Sequence, residues 1–475
     1  MPCCKAEEFG HWCDDVEIVY TDDDGNDYCL FHAPAEHKGM NVEEFNSRVA
    51  TYIQNETNNP KQWPKVTDPV SPWANCTCIL SGTIFPGSIN FTNLIKGTTL
   101  FPSISFSKAI FTDTVWFSAI TFQGDVGFQA TSFLSDAWFN KVTFQKNAVF
   151  KNAKFLHWAD FQYSIFKGYA FFEKTVFYNT VHFLNTQFHN QSSFDFAQFT
   201  KAMFIYAIFK NDISFNYTKF KETCTLWHAQ IEGSLHIKNA IFSGTSHIEI
   251  PERNCIAYFH KIHFENVLLY AVNFTRCNFI LCEWTRSWGW RWLHNWMAKR
   301  GWERHKTWGR RILLNEKECD CYAEVEEEYR ALKQKYKNEG NEAEASEWHY
   351  SEKEMFRRKH WWRRYNPVSL TNLYKIFSGY GECPGRAAFW LLLFIALPFV
   401  LIGWDFLSPL GLSWPPDANA TEAIVEPATQ YLLFAKPDYV ANHGFVTTWL
   451  TVITRLLVPI QAALFGLALR NKFRR

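Results

Sequence analysis

Net charge is almost absent from this 475-residue chain: 48 lysines and arginines stand against 47 aspartates and glutamates, leaving +1. Attraction of the whole molecule to a polyanion is therefore not what the sequence is built for. Also missing are a glycine-rich phosphate loop, a Gly-x-Ser-x-Gly elbow and a helix with paired histidines, the motifs of phosphoryl, acyl and zinc-hydrolase chemistry. Their absence argues against an enzyme. No basic, apolar leader stands at the start. Thirteen cysteines, an odd number in a long chain, do not form the pattern of a disulfide framework, so reduced thiols are expected, some of them on a metal.

Phenylalanine is what the chain has in excess, with 45 residues, and aromatics make up 18% of the sequence. The phenylalanines keep a register: Phe106, Phe111, Phe117, Phe122, Phe128, Phe133, Phe139, Phe144, Phe150, Phe155, Phe161, Phe166, Phe172, Phe177, Phe183, Phe188, Phe194 and Phe199. Steps of five and six alternate, and two residues before most of these rings stands a small or β-branched residue such as Ala109, Val115, Ala137 or Ala148. A helix would throw successive rings to opposite sides. A flat strand would reverse faces at each step of five. A chain that turns a corner every five or six residues satisfies the pattern. Four sides make a square coil of about 22 residues, and coils stack at about 4.8 Å like parallel strands. The sides counted in this way give six to seven coils, a rod on the order of 30 Å.

On these residues the sequence resembles the pentapeptide-repeat family, over about Phe85 to Phe242. The resemblance implies a right-handed quadrilateral β-helix with Leu or Phe at each inward position and a small residue two before it. Phe111, Phe122, Phe133, Phe144, Phe155, Phe166, Phe177, Phe188 and Phe199 are then solenoid core. The six-residue steps depart from the family's five and suggest bulged sides. Some family members imitate DNA with acidic rods. Residues 100–245 carry 12 lysines against 9 acids, a net of +3, so this rod lacks the dense negative array that imitation needs.

Before the repeats, Cys4, Cys13 and Cys29, the last followed by His32 in a Cys-x-x-His spacing, offer three thiolates and an imidazole for a tetrahedral structural Zn2+. So short a segment buries little core, and a metal would supply its folding energy. Cys3 is an alternative to Cys4, and His11 and His37 compete with His32. The segment also resembles a small Cys/His module that precedes pentapeptide repeats in bacterial proteins. Cys76 and Cys78, with Cys319 and Cys321, form a weaker second pair of thiols.

After the repeats, a segment rich in Trp and Arg suits a membrane interface, with indole at headgroup depth and guanidinium on phosphate. Trp288, Trp292 and Trp296, and further on Trp361 and Trp362, are the expected anchors on anionic lipid; single-stranded nucleic acid is the weaker alternative. Good helix formers around a turn at Asn338 to Asn341 predict a helical hairpin. Two apolar stretches, Ala387 to Leu407 and Phe445 to Leu469, are candidate spans. Basic residues precede the first and follow the second, and acids dominate the loop between them, so the positive-inside rule puts both ends in the cytosol. Arg455 and Gln461, polar groups inside the second stretch, are membrane or pore candidates.

The expected organisation is a Cys/His module with a short helix over 1–60, a linker over 61–84 and the β-helix over 85–282. A Trp/Arg cap or interface segment over 283–321 and the hairpin over 322–365 follow. Transmembrane helices over 387–407 and 445–469 are joined by an extracytoplasmic loop over 408–444, and 470–475 is a basic cytosolic tail. The expected function is a membrane-anchored scaffold at the bacterial inner membrane, not an enzyme, whose solenoid walls meet a protein partner. The alternative is an oligomeric two-span channel, made of copies of this chain, with the β-helix as sensor or gate.

Overall fold

The computed structural model describes residues 2–58, 76–94, 100–250, 255–270, 272–287, 310–318, 321–407, 425, 428–429 and 453–473. They fall into two compact units, Met1–Thr285 with Leu313–Lys317, and Arg286–Ile312 with Glu318–Arg475.

The first unit is a β-solenoid. Its two-residue strands stack in parallel into four ladders, one per side of the coil. One ladder has seven strands and another ten, and two more merge into a 14-stranded sheet where Val176–His182, Gln198–Met203 and Lys219–Leu226 run round a corner. Along one ladder Phe111 pairs with Phe133, then Phe155, Phe177 and Phe199, each 22 residues on, as the period predicts. The ten-stranded ladder runs from Cys78–Ile79 to Cys277–Ile280, about nine turns, or about 43 Å of stacked strands. The rod is longer than the six to seven coils expected because the stack begins before Phe106, at Cys78–Ile79, and runs on past Phe242, where Ile248 and Ala257 are buried.

The register rings are buried, and each lies nearly parallel to the ring one coil away: Phe139 on Phe161 at 4.8 Å, Phe150 on Phe172 at 4.7 Å. Rings within a coil meet edge to face, as Phe150 and Phe161 do at 5.5 Å and 89°, or tilted, as Phe150 and Phe155 do at 6.3 Å and 39°, arrangements that suit their quadrupoles. The small residue two before each ring leaves room for it. At three such positions a Thr hydroxyl reaches a phenylalanine carbonyl of the preceding coil: Thr131 to Phe106, Thr175 to Phe150, Thr186 to Phe161, all at 2.7–2.8 Å. A buried polar group is thereby satisfied inside an aromatic core.

The alternation of five and six lies in the corners, not in bulged sides. Every five-residue step from Phe106 to Phe199 contains one residue with positive φ: Lys108, Ala119, Ala130, Lys141, Asn152, Tyr163, Lys174, Asn185 and Phe196, eleven apart. This left-handed residue makes a tight corner. The six-residue steps turn more widely without one, so the structural unit is an eleven-residue pair of unlike corners.

In the second unit, helices Tyr322–Asn338 and Glu342–Arg358 form the expected hairpin. Gly340 turns it at φ +73°, and the Asn341 side chain caps the second helix by accepting from the Glu344 N–H. Tyr329 stacks on Trp348 at its centre. Buried Glu354 accepts hydrogen bonds from Arg357, Arg358, Lys375 and the Tyr380 hydroxyl, tying the hairpin to helix Leu370–Ser378 and the turn after it. In that turn Gly379, Tyr380 and Gly381 all have positive φ, and a Cβ on Gly379 would lie 2.7 Å from the Cys383 sulfur.

Helix Pro384–Leu407 covers the first expected span. The second differs from expectation: a π-helical turn, Ile453–Leu457, precedes an α-helix, Val458–Phe473, which extends into the basic tail. The α-helix starts beside Pro459 because proline has no N–H to give and is tolerated only in a first turn. Among the described residues no helix is long and apolar enough to cross a membrane; the side chains of Pro384–Leu407 are described as far as Val400. Residues 445–452 and nearly all of the 408–444 loop lie outside the described residues.

Candidate metal centre at the head of the solenoid

Cys3, Cys13, Cys29 and His32 converge at the start of the first unit, all buried, with their ligand atoms within 4.8 Å of one another. Three of the four are the residues expected from the sequence. The fourth is Cys3, not Cys4, whose side chain is exposed. The cause is local. The Cys4 N–H donates to the Asp27 carbonyl at 2.7 Å and the Ala6 N–H to the Cys3 carbonyl at 2.9 Å, which fixes a turn beside the strand Asp27–Cys29 with Cys3 inside and Cys4 outside.

The loop Cys29–Ala33 is a tight knuckle, with the His32 and Ala33 N–H groups both donating to the Cys29 carbonyl. It brings His32 Nδ1 to 3.2 Å from Cys29 Sγ and 3.5 Å from Cys3 Sγ. A tetrahedral zinc with bonds of about 2.3 Å to sulfur and 2.0 Å to nitrogen has edges of roughly 3.5–3.8 Å, so the cluster fits such an ion. The Cys29 N–H points at Cys3 Sγ, 3.4 Å away, and favours the thiolate. His32 Nε2 lies 3.0 Å from the Ser81 carbonyl. Only a protonated Nε2 can bond there, which leaves Nδ1 as the ligand nitrogen.

The electrostatics suit a cation. Hydrogen bonds from Cys13 and Cys29 pull the Cys3 thiol far below its ordinary range, while Cys13 is pushed up by its bonds to Cys29 and Cys3. A divalent ion on three thiolates leaves about one negative charge. Lys38, almost fully buried, stands by: its Nζ donates to the carbonyls of Leu30, Phe31 and Ala33 at 2.7–3.1 Å, all in or beside the knuckle. Burial pushes this lysine down to about 7, and the charge of Cys29 opposes that.

The module sits on the first coil. Trp12 Nε1 donates to the Ser81 carbonyl at 3.2 Å, and the Ile84 N–H to the Phe31 carbonyl at 2.9 Å. Phe45, from helix Val42–Asn58, meets Phe85 edge to face. Two glycines permit this closeness. A Cβ on Gly82 would be 2.3 Å from the Phe9 ring, and one on Gly87 would be 2.7 Å from Val42. Lys38, Trp12, Gly82 and Gly87 escaped the sequence reading; a glycine just before the first inward residues was the available signal.

The other expected residues are scattered. The nine core phenylalanines are all buried. Cys76 and Cys78 are buried thiols, pushed up by burial. Trp288, Trp292, Trp296 and Cys319 lie outside the described residues, and for Trp361 only the helical backbone is described. Trp362 is 57% exposed. Arg455 lies in the π-helical turn. Gln461 is buried, and its Nε2 donates to the carbonyls of Phe377 and Ala387 at 3.0 and 2.8 Å, pinning the last helix to two others. Its amide is a structural tie between helices.

Residues 106–154, within the solenoid, match the family described as Pentapeptide repeats (9 copies). The match agrees with the square coil and its inward phenylalanines over those residues. No curated protein and no solved structure matches the chain.

Proposed function

We propose that this chain is a membrane-anchored, non-enzymatic scaffold of the bacterial inner membrane. Its pentapeptide-repeat solenoid faces the cytosol and offers its walls to a protein partner, and a structural Zn2+ sits on Cys3, Cys13, Cys29 and His32. The observation that carries the scaffold reading is the phenylalanine-filled interior: stacked rings occupy the axis, so recognition is left to the outer walls. Zinc is favoured because a buried set of three sulfurs and one nitrogen, closed to a fifth ligand, is the donor set of its structural sites.

The anchor rests on the apolar run of Pro384–Leu407, whose Phe389, Leu392 and Val400 are exposed, and on the basic residues before it and at the end of Val458–Phe473. Trp362 and Tyr365, exposed beside Arg363 and Arg364, suit contact with anionic headgroups. The channel reading draws on Arg455, since π-helical turns recur at functional sites. Gln461, the other candidate, supports that reading less, because its amide bonds two carbonyls of the chain.

Two measurements test the proposal. Alkaline carbonate washing of membranes should leave the protein with the lipid; release into the wash overturns the anchor. Liposomes holding the purified protein should show no ion flux above a mock preparation. Flux that depends on the protein and changes with Arg455→Ala would replace the scaffold with a channel.

A further inference from the structure

The metal ligand His32 and the first coil of the solenoid are joined by one hydrogen bond, from His32 Nε2 to the Ser81 carbonyl. We propose that the metal holds the module in place as a cap, and that its removal opens the first coil to pair edge to edge with the first coil of a second copy of this chain. The inference rests on the zinc reading above.

A stack of parallel strands has two open ends, each a row of unpaired backbone groups that templates further pairing. Here the cap takes up the first coil's outward groups. The Ile84 N–H goes to the Phe31 carbonyl, the Ser81 carbonyl accepts from both Trp12 and His32, and the Ser88 carbonyl accepts from Asn46. Phe45 also covers Phe85, the first ring of its stack, which lies 4.4 Å from Phe111 on its other side. Without the cap, these backbone groups and an aromatic face would meet water together.

The hold of the cap depends on the ion for a reason visible in the chain. Its ligands come from three separate stretches, around Cys3, around Cys13 and at Cys29–His32. The regular structure among them is two short strands, Ile18–Thr21 and Asp27–Cys29. Such a segment gains its order from the metal. Two of the residues that bond the coil are neighbours of ligands: Trp12 precedes Cys13, and Phe31 precedes His32. Phe45 and Asn46 reach it from helix Val42–Asn58, which follows the Lys38 that holds the knuckle's carbonyls. Losing the ion therefore loosens the contacts that seal the edge.

A second copy is the occupant because the edge needs a β-edge of matching spacing closed by an aromatic ring, and an identical uncapped coil supplies both. Two like ends meeting face to face form a closed twofold pair that leaves no further edge at the joint. The expected product is a discrete doubling, not a fibre.

The test uses the full-length protein in detergent, loaded with zinc and then stripped with a chelator. Hydrogen exchange over residues 76–91 and molecular mass by light scattering are read before and after. Stripping should speed exchange across 76–91 and double the mass, and added zinc should reverse both. Ile84→Lys, which sets like charges on the two edges, should retain zinc, lose the same protection on stripping and stay at its original mass. Unchanged mass after stripping overturns the proposal, whether or not protection is lost. So does doubling that Ile84→Lys fails to block, or growth without limit. Purified protein that binds no zinc at these four residues would instead overturn the zinc reading beneath it.

Discussion

The ring of Phe199 lies 5.3 Å from that of Phe220 and 7° from parallel, although only 21 residues separate them, where 22 separate Phe177 from Phe199. The missing residue comes out of the wide corner. Thr180 pairs with Lys201 after a register shift, and the rings on either side stay stacked, Phe183 on Phe204 at 4.8 Å. Ring stacking sets the register, and the wide corner absorbs the mismatch.

Deleting Asn179, an exposed residue in the wide corner, should therefore copy the natural shortening and lower the melting temperature by only a few degrees. Deleting Asn152, which holds a tight corner at φ +59°, would leave that turn without its left-handed residue. It should prevent the coil from closing, giving a chain without a cooperative transition. Thermal unfolding followed by far-ultraviolet circular dichroism separates the two.

Truncating a central ring tests the core itself. Phe155 stacks between Phe133 and Phe177 at 4.5 and 4.8 Å. Phe155→Ala should cost about 3–5 kcal/mol, because the rigid stack cannot collapse into the cavity. Phe155→Leu fills most of the volume and should cost roughly 1–2 kcal/mol. Denaturant unfolding measures both; equal losses would mean that the stack relaxes around a vacancy.

The fold was legible where one residue type carried the period. Eleven-residue spacing of phenylalanine specified a coil of four sides, because no other regular backbone points those positions to one axis. The corners were not legible, since Lys108, Ala130, Asn152 and Tyr163 all hold the left-handed conformation and share no chemistry. At the metal centre, the Cys29-x-x-His32 spacing marked the knuckle on its own. The choice between Cys3 and Cys4 depends on how the turn at Cys3 to Ala6 is set against the chain, and the Asp27 carbonyl, 23 residues from Cys4 in sequence, holds it there.

Tyr163 occupies a tight corner with φ +58° and is 56% exposed. A left-handed conformation costs a residue with a bulky side chain on the order of 1 kcal/mol, and asparagine tolerates it better. Tyr163→Asn should leave the structure unchanged and raise stability by about 0.5–1 kcal/mol. A loss of stability in denaturant unfolding would show that the exposed ring contributes contacts worth more than the strain.

Acid should loosen the helical hairpin before the solenoid. Burial opposes the charge of Glu352, but bonds from His349, Lys333 and Arg330 hold its carboxyl down at about 2. A carboxyl lowered in the folded state adds stability that is present above its ordinary value near 4.5 and is lost as pH falls from there towards 2. Hydrogen exchange across residues 322–358 should accelerate over that window. Glu352→Gln should weaken the hairpin at pH 7 and flatten the dependence; an unaltered pH profile in that variant would remove Glu352 from the account.

Two adjacent cysteines give the sharpest check of the metal centre. Cys3 is buried with its sulfur 3.5 Å from His32 Nδ1, while the Cys4 side chain is exposed. Cys3→Ser should cut bound zinc at least tenfold in a competition with a chromogenic chelator, because a hydroxyl at that position stays protonated and binds zinc poorly. Cys4→Ser should hold one zinc per chain with unchanged affinity, since only an exposed thiol is lost. The same two variants exclude a trivial cause. A general loss of folding would affect the coils as well, and intact hydrogen-exchange protection at residues 137–160 would confine the damage to the module. If Cys4→Ser lost the metal and Cys3→Ser kept it, the local chain would run one residue out of register with the structure, and the Cys4 to Asp27 backbone bond could not exist.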